Sequence, residues 1–261
     1  SDYLYELDDK FQVVNTVNLF EKIRHSSKEH LDYKVKEDFE SIAVASYNDQ
    51  EILLALGSGS SPNRNTGIIY NVTTGEVIRV DLGSFYASFS DESINIESIT
   101  FANEKSYIAN RETNNIYIFD EDSLIHYLLD QSQSLPEAKM LHVKLPSIGS
   151  YQSTLSSLYY SQEAQALFFA ASVELSYDHP LFDGVVLGSF VGAVPIQDLA
   201  NNIDLGSYCH LLVNESGVIQ TKVESVVVSD FLDGKFSVIS VSDNDNGVSE
   251  MFYLTLFVDA E

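Results

Sequence analysis

A short motif that recurs at intervals near 60 residues limits the folds open to this chain of 261 residues. Its four copies have the pattern apolar, Glu or Ser, Ser, apolar, and they are separated by 57, 59 and 68 residues. The copies are Phe39–Ile42, Ile96–Ile99, Leu155–Leu158 and Val223–Val226. Each is followed by a polar turn and two further apolar runs. A unit of three strands that repeats in this way predicts the blades of a β-propeller.

Most other apolar runs are short and bounded by turn residues, which predicts β-strands. These runs are Glu51–Leu56, Gly67–Val72, Glu76–Leu82, Asn115–Asp120, Ala166–Ser172, Lys235–Ser242 and Met251–Val258. The dipeptides Ser216-Gly217 and Asp233-Gly234 indicate tight hairpins. A single good helical pattern lies at Asp122–Gln131, behind an Asp or Ser N-cap. The expected fold class is therefore all-β.

The first 20 residues predict a partial blade. Tyr3–Leu7 and Phe11–Val17 have the pattern of two strands joined by a polar turn. Together with the four repeats, they predict a single propeller domain over residues 1–261, with five blades or, as the alternative, six. The chain is expected to start inside a blade. We expect the N-terminal strands to pair with elements after Glu224, because an open ring leaves bare sheet edges.

The charge balance excludes several classes of partner. Asp and Glu number 39 and Lys and Arg only 14, so the net charge is −25. Binding of nucleic acid or of an anionic membrane surface requires a basic surface, which this composition does not supply. No apolar run is long enough to insert into a membrane. The single cysteine, Cys209, forms no internal disulfide; a cytoplasmic location is slightly favoured, and secretion stays open.

Three of the four motif copies carry a glutamate at the same place: Glu40, Glu97 and Glu224. The first strand of a blade lines the central channel, so these carboxylates are expected to converge on one axis. A buried carboxylate needs a partner. Two interpretations stay open: each Glu accepts hydrogen bonds from backbone N–H groups of the next blade, or the three hold Ca²⁺ or Mg²⁺. The serine in the third copy, Ser156, interrupts the set of charges.

A Gly- and Ser-rich segment, Gly57–Asn65, follows the second strand of the first repeat. It lacks the Lys-Ser/Thr ending of a P-loop and the G-x-S-x-G elbow of a serine hydrolase. Two arginines, Arg64 and Arg111, stand at equivalent ends of successive repeats. They either pair with Glu40 or Glu97 or face an anionic ligand. The candidate ligand-binding residues are Ser58, Ser60, Asn63, Arg64, Asn110 and Arg111.

The segment Asp243–Gly247 has a composition similar to a calcium loop. Its glycine falls one place early for an EF-hand, and no Glu closes it at the twelfth position. An Asx-rich turn is the other interpretation. Calcium binding at this segment is therefore a secondary hypothesis.

At these motifs the chain resembles a family of uncharacterised bacterial β-propellers, a domain of unknown function. The matching elements are Leu56–Arg64, the steps Glu40-Ser41, Glu97-Ser98 and Glu224-Ser225, then Ala109–Arg111 and Val186–Ser189. A more distant similarity reaches phytase-like and esterase-like propellers. The closer resemblance implies the fold, and it implies no activity, since fold alone does not set function.

Two functions follow as hypotheses. The first is a binding module for a small anionic ligand or a protein partner at the channel face. The alternative is a divalent-metal-assisted hydrolase of esters, lactones or phosphoesters, with the metal in the central channel. Binding is ranked first because the sequence contains no recognisable general base or nucleophile; whether the protein is an enzyme stays open.

Overall fold

The computed structural model describes residues 3–19, 37–175, 184–244 and 249–257. Strands make up 59% of the structure and helices 10%. The all-β class predicted from the sequence is confirmed. None of the described helices has the length and apolar character needed to cross a membrane.

Four sheets form a propeller-like arrangement, and we call them blades A to D. Blade A contains β3 (Phe39–Tyr47), β4 (Gln50–Gly57), β5 (Thr66–Asn71) and β6 (Val77–Asp81). Blade B contains β7 (Ile96–Ala102), β8 (Lys105–Asn110), β9 (Asn115–Asp120), β10 (Lys139–Lys144) and β16 (Asn202–Asp204). Blade C contains β13 (Thr154–Ser161), β14 (Ala166–Glu174), β15 (Val186–Pro195) and β17 (Cys209–Leu211). Blade D contains β20 (Val223–Leu232), β21 (Lys235–Asp243) and β22 (Ser249–Phe257).

The remaining elements are smaller. Three two-stranded sheets are β1 (Tyr3–Leu7) with β2 (Val13–Asn18), β11 (Ser147–Ile148) with β12 (Tyr151–Gln152), and β18 (Val213–Asn214) with β19 (Gly217–Val218). The α-helices are α1 (Gly83–Tyr86) and α2 (Glu121–Leu129), and 3₁₀ turns cover Pro62–Arg64, Ile196–Asp198 and Leu205–Tyr208. Helix α2 corresponds to the segment predicted from the sequence, and the side chain of Asp120 caps it by accepting from the Ser123 N–H.

Each motif copy begins the first strand of a blade, as the repeat predicts. These four inner strands, β3, β7, β13 and β20, each carry a bulge at the motif and pair antiparallel with the next strand of their blade. The predicted N-terminal strands also form, as β1 and β2, and they pair with each other. Among the described residues, they are not hydrogen-bonded to blade D, contrary to the expected closure. The count of five blades, with six as the alternative, stays a prediction.

The apolar core lies between successive blades. One cluster fills the space between blades A and B and includes Leu54 and Tyr117, with Phe85 of α1 packed against them. A second cluster, which includes Phe169, joins blades B and C, and a third, which includes Phe168 and Phe236, joins blades C and D. Strand β14 packs one face against blade B and the other against blade D. Its side chains therefore alternate between the second and third clusters.

The serine of the motif joins neighbouring inner strands in blades B and C, whereas the buried hydroxyl of Ser41 in blade A has no hydrogen-bond partner among the described residues. The backbone N–H of Leu158 donates to the Ser98 hydroxyl at 2.8 Å, and this hydroxyl donates to the Leu158 carbonyl at 3.1 Å. In the next pair of blades, the Val226 N–H donates to the Ser157 hydroxyl at 3.1 Å. One of the two interpretations of the sequence gave this role to the glutamate. The structure gives it to the residue that follows, because the serine side chain points at the next blade.

We expect Ser98→Ala to lower the free energy of unfolding by about 1–3 kcal/mol, because it leaves the buried N–H of Leu158 without an acceptor. The matched control is Ser225→Ala, at the same motif position in blade D, where the side chain is exposed. That variant should change stability by less than about 0.5 kcal/mol. Urea unfolding checks both; equal effects at the two positions would contradict the role given to the serine.

Candidate functional site

A ring of charged side chains lies at the end of the channel where the inner strands begin. We call it the charged ring, and it consists of Asp38, Glu40, Arg64, Glu97, Arg111, Glu174, Lys222 and Glu224. Its members lie in strands of the four blades, in loops between those strands, or directly before the first strand of a blade. The three glutamates of the motif therefore converge, as the repeat predicts.

Arg111 connects blade B to blade C. Its guanidinium lies 3.4 Å from a carboxylate oxygen of Glu97 and 2.5 Å from one of Glu174. Its Nε also donates to the Thr154 hydroxyl at 3.1 Å. Burial lowers the pKa of Arg111, but the two glutamates outweigh burial and the net direction is upward. Arg111 therefore keeps its positive charge within the charged ring.

Lys222 continues the chain of ion pairs into blade D. Its ammonium lies 2.7 Å from Glu224 and 3.6 Å from Glu174, so Glu174 is shared by two cations. Burial opposes the charged form of Lys222, whereas Glu224 and Glu174 favour it, and the pKa rises. Of the motif glutamates, Glu97 and Glu224 therefore each have a basic partner.

The Gly- and Ser-rich segment folds around Asp38. Arg64 forms an ion pair with this carboxylate and donates to the Ser60 hydroxyl at 3.0 Å. Ser58 is fully buried, and its hydroxyl lies 3.2 Å from Asp38 and 2.9 Å from the Ser60 hydroxyl. Of the two interpretations of the arginines, local pairing is the one that this geometry favours.

Backbone crowding explains the first glycine of this segment. A Cβ at Gly57 would lie 2.4 Å from the carbonyl oxygen of Arg64 and 2.8 Å from that of Glu37. Such distances are far below van der Waals contact, so only glycine fits. The glycine is thus required by the turn that brings Arg64 back to Asp38.

The two asparagines proposed as ligand-binding residues have structural contacts. Asn110 is fully buried; its amide donates to Asp91 at 2.7 Å and to the Ser93 carbonyl at 2.9 Å, and its oxygen accepts from the Asn95 N–H. Asn63 accepts a hydrogen bond from the Ser61 hydroxyl at 2.9 Å. Asn110 therefore shapes the loop before β7. Contact of either residue with a ligand stays a hypothesis.

Glu40 differs from the other carboxylates of the charged ring. No Lys or Arg within the described part of the chain forms an ion pair with it. Burial and the nearby carboxylates Glu97, Asp38 and Glu224 raise its pKa to about 9, and a hydrogen bond with Asp38 contributes to this rise. Burial, outweighing Arg111, likewise raises the pKa of Glu97 to about 7. Near neutral pH, Glu40 is therefore protonated.

The charged ring opens into a cavity of about 610 Å³ that all four inner strands line. Glu40, Glu97 and Glu224 contribute to its wall, together with aromatic residues such as Tyr159 and Tyr160. In the described ranges, no group of three His, Cys, Asp or Glu side chains is arranged to hold a metal ion. The secondary calcium hypothesis at Asp243–Gly247 falls largely on residues 245–248, outside the described residues.

Sequence reasoning missed three members of the charged ring: Asp38, Glu174 and Lys222. A signal was present, since the residue directly before each motif copy is polar. In chain order these residues are Asp38, Asn95, Thr154 and Lys222. Each contacts a charged residue of the ring, Asn95 by donating to Glu97 at 3.2 Å. Glu174 ends the second strand of blade C, as Arg111 directly follows that of blade B.

Solved structures with some likeness to this chain have low identities and TM-scores. The designed Ika4 protein is 15% identical, with a TM-score of 0.34, and the match covers 88% of this chain and 96% of that chain. Glutaminyl cyclase of Myxococcus xanthus is 9% identical, with a TM-score of 0.39 and coverage of 84% and 73%. An α-L-arabinanase of Cellvibrio cellulosa is 14% identical, with a TM-score of 0.37 and coverage of 85% and 93%. These values carry no information about function.

At the level of sequence, no curated protein matches the chain. The profile of one family, described as a family of unknown function (DUF6929), matches residues 1–256, which is nearly the whole length. The resemblance to a propeller family of unknown function, inferred above from the motifs, agrees with this match. The chain belongs to the DUF6929 family.

Proposed function

We propose that the protein is a ligand-binding propeller, and that the charged end of its channel binds a small molecule through a positively charged group. The observation that carries this proposal is Glu40, a carboxyl group that lines the cavity and has no basic partner among the described residues. A cation placed beside it would relieve the repulsion among Glu40, Glu97, Asp38 and Glu224.

The charge of the ring supports a cationic ligand over the anionic ligand expected from the sequence. Five carboxyl groups stand against three basic side chains, and one of the five, Glu40, has no cation beside it among the described residues. Arg64 and Arg111 already contact Asp38, Glu97 and Glu174. An anion would have to compete with these carboxylates for the arginines, and this competition costs binding free energy.

The divalent-metal-assisted hydrolase stays the second candidate. Glu97 and Glu224 lie close enough to Glu40 to raise its pKa, and this closeness favours a cation among the three. Against a metal, Glu97 and Glu224 are engaged by Arg111 and Lys222, so coordination would require two ion pairs to break. A protein partner at the channel face is a third interpretation without a specific contact in its favour.

Thermal unfolding with simple probes tests the proposal. We expect 1,4-diaminobutane or benzylammonium, in about hundredfold excess over its Kd, to raise the Tm by several degrees, whereas succinate has no effect. Glu40→Gln should abolish the amine effect, because it removes the charge and preserves the shape. Glu76→Gln, at an exposed position outside the ring, is the matched control and should keep it.

Three outcomes would count against this assignment. Stabilisation by succinate that is lost in Arg64→Ala would favour the hypothesis of an anionic ligand. Stabilisation by Ca²⁺ or Mg²⁺, together with ester hydrolysis that Glu97→Gln abolishes, would favour the hydrolase. Amine binding that survives Glu40→Gln would place the site elsewhere.

A further inference from the structure

A second cavity lies at the end of the channel opposite the charged ring. It has a volume of about 560 Å³, and we call it the distal cavity. The ends of three inner strands line it, at residues 44–46 of β3, 101–102 of β7 and 159–160 of β13. The turns that follow β7 and β13 and Glu121 at the start of α2 complete its wall. This wall thus comes from blades A, B and C.

The distal cavity continues the cavity of about 610 Å³ described above, which we call the channel cavity. Four residues line both: Val44, Phe101, Tyr159 and Tyr160. Along β7, Glu97 lines the channel cavity near the charged ring, and Ala102 lines the distal cavity. These two positions are five residues apart on the strand, which corresponds to about 16 Å at about 3.3 Å per residue. The two cavities therefore form one elongated passage.

Glu121 has the same position at the distal cavity as Glu40 has at the charged ring. It is half-buried, and none of the basic side chains within the described ranges forms an ion pair with it. Burial and the carboxylates of Asp122, Asp120 and Glu104 raise the pKa of Glu121. Each end of the passage therefore has a carboxyl group that a nearby positive charge would stabilise in its ionised form.

Ser41 supplies a further polar atom at the charged end of the passage. It is 7% exposed and lines the channel cavity next to Glu40, and its hydroxyl has no hydrogen-bond partner among the described residues. The equivalent hydroxyl of Ser98 accepts from the backbone of the next inner strand. A primary ammonium group has three N–H donors, so a single one can donate both to Glu40 and to Ser41. The Ser41 hydroxyl thus indicates a ligand independently of the carboxylates.

The part of the wall that the two cavities share is apolar and aromatic. A methylene chain gains free energy when it packs against such side chains. The rings of Tyr159 and Tyr160 also attract ammonium groups along the chain of a ligand. A peptide fits less well, because each of its residues brings an N–H and a C=O group that need partners, and this wall supplies few.

We propose that the passage binds an extended linear polyamine, with one terminal ammonium group between Glu40 and Ser41 and the other at Glu121. This inference rests on the proposed function and adds to it the length and the second charge of the ligand. The methylene groups lie along the aromatic wall between the two ends. The net charge of −25 raises the local concentration of such a polycation.

Diamines of different length measure the distance between the two ends. 1,4-Diaminobutane and 1,12-diaminododecane carry the same charge, but only the longer one can reach Glu121 from Glu40. Isothermal titration calorimetry in about 150 mM NaCl, which screens surface charges, should give a Kd about tenfold lower or more for the longer diamine. Spermine, a linear tetraamine of similar length, should bind at least as tightly as 1,12-diaminododecane.

Variants at the two ends test the contacts separately. Glu121→Gln should remove the gain of the longer diamine and leave the Kd of 1,4-diaminobutane unchanged. The matched control, Asp122→Asn, changes the charge equally at an exposed position of the same helical turn that does not line the distal cavity, and it should keep the gain. Ser41→Ala should weaken both diamines by about tenfold, because it removes a hydrogen bond to a charged group.

The outcomes separate this inference from the proposed function. If 1,4-diaminobutane binds through Glu40 while 1,12-diaminododecane and spermine gain nothing, the polyamine is excluded and the proposed function stands. If no amine binds, both fail. A gain that survives Glu121→Gln, or that Asp122→Asn also removes, would overturn the contact at the distal end. Tetralysine that binds more tightly than spermine, with the same dependence on Glu121, would replace the polyamine with a basic peptide.

Discussion

Replacing Arg111 with methionine will lower the free energy of unfolding by about 3–5 kcal/mol, the largest effect we expect from a substitution in the charged ring. The guanidinium is the contact shared by Glu97 and Glu174, and Glu97 is only 7% exposed. Methionine fills a similar volume but leaves both carboxylates without this partner. A buried carboxylate that loses its partner either keeps an uncompensated charge or takes up a proton, and both destabilise the fold near neutral pH.

The matched control is Lys144→Met. Lys144 also forms an ion pair, with Asp204 at 2.6 Å, but both side chains are more than half exposed. An exposed pair contributes at most about 1 kcal/mol because water and salt screen it. Urea unfolding at neutral pH measures both variants. Equal losses for Arg111→Met and Lys144→Met would show that the charged ring is no more than a solvated surface network.

Wild-type stability will fall as the pH rises from about 6 to 9, and Glu40→Gln will remove much of this fall. The folded protein holds a proton on Glu40 up to a pKa of about 9, whereas the unfolded chain releases it near 4.5. Between these values the folded state binds more protons, so a rise in pH favours unfolding. The contribution of Glu40 is fully present below the unfolded pKa and is lost as the pH rises through the folded one. Glu97, with a pKa of about 7, acts in the same direction over a narrower range.

At pH 9, Glu40→Gln should be more stable than the wild type by on the order of 2 kcal/mol. This figure is smaller than the full pKa shift would give, since Glu40 is only partly buried beside the channel. Glu76→Gln, at an exposed turn, should follow the wild-type curve. Urea unfolding at a series of pH values provides the comparison. A wild-type stability that rises between pH 6 and 9, or an unchanged slope in Glu40→Gln, would contradict the crowding of carboxylates around Glu40.

Most of the fold that could be predicted from the sequence follows from the repeat. Blade starts at Phe39, Ile96, Leu155 and Val223 follow from it, because the motif coincides with the bulged first strand of each blade. The convergence of Glu40, Glu97 and Glu224 follows for the same reason. The helix at 121–129 and the hairpins at 216–217 and 233–234 are local patterns with a known chemistry.

Partners of the charged residues were harder to predict. A strand pattern gives the face on which a side chain lies, but not the side chain that meets it across a blade boundary. Arg111 pairs with Glu174, which is 63 residues away, and Arg64 pairs with Asp38 across a turn that only Gly57 permits. One interpretation of the sequence gave the role of the motif serine to the glutamate, because periodicity alone does not distinguish which of two adjacent polar residues contacts the next backbone.

The pH titration of the Glu40 carboxyl carbon is the decisive measurement for the charged ring. Carbon-13 NMR of protein labelled in glutamate, with Glu40→Gln to assign the signal, follows each carboxyl group separately. We predict that Glu40 titrates near pH 9 in the free protein and at lower pH when an amine such as 1,4-diaminobutane is bound. A Glu40 signal that titrates near the ordinary value of about 4.3, with or without the amine, would contradict both the crowded site and its cationic ligand.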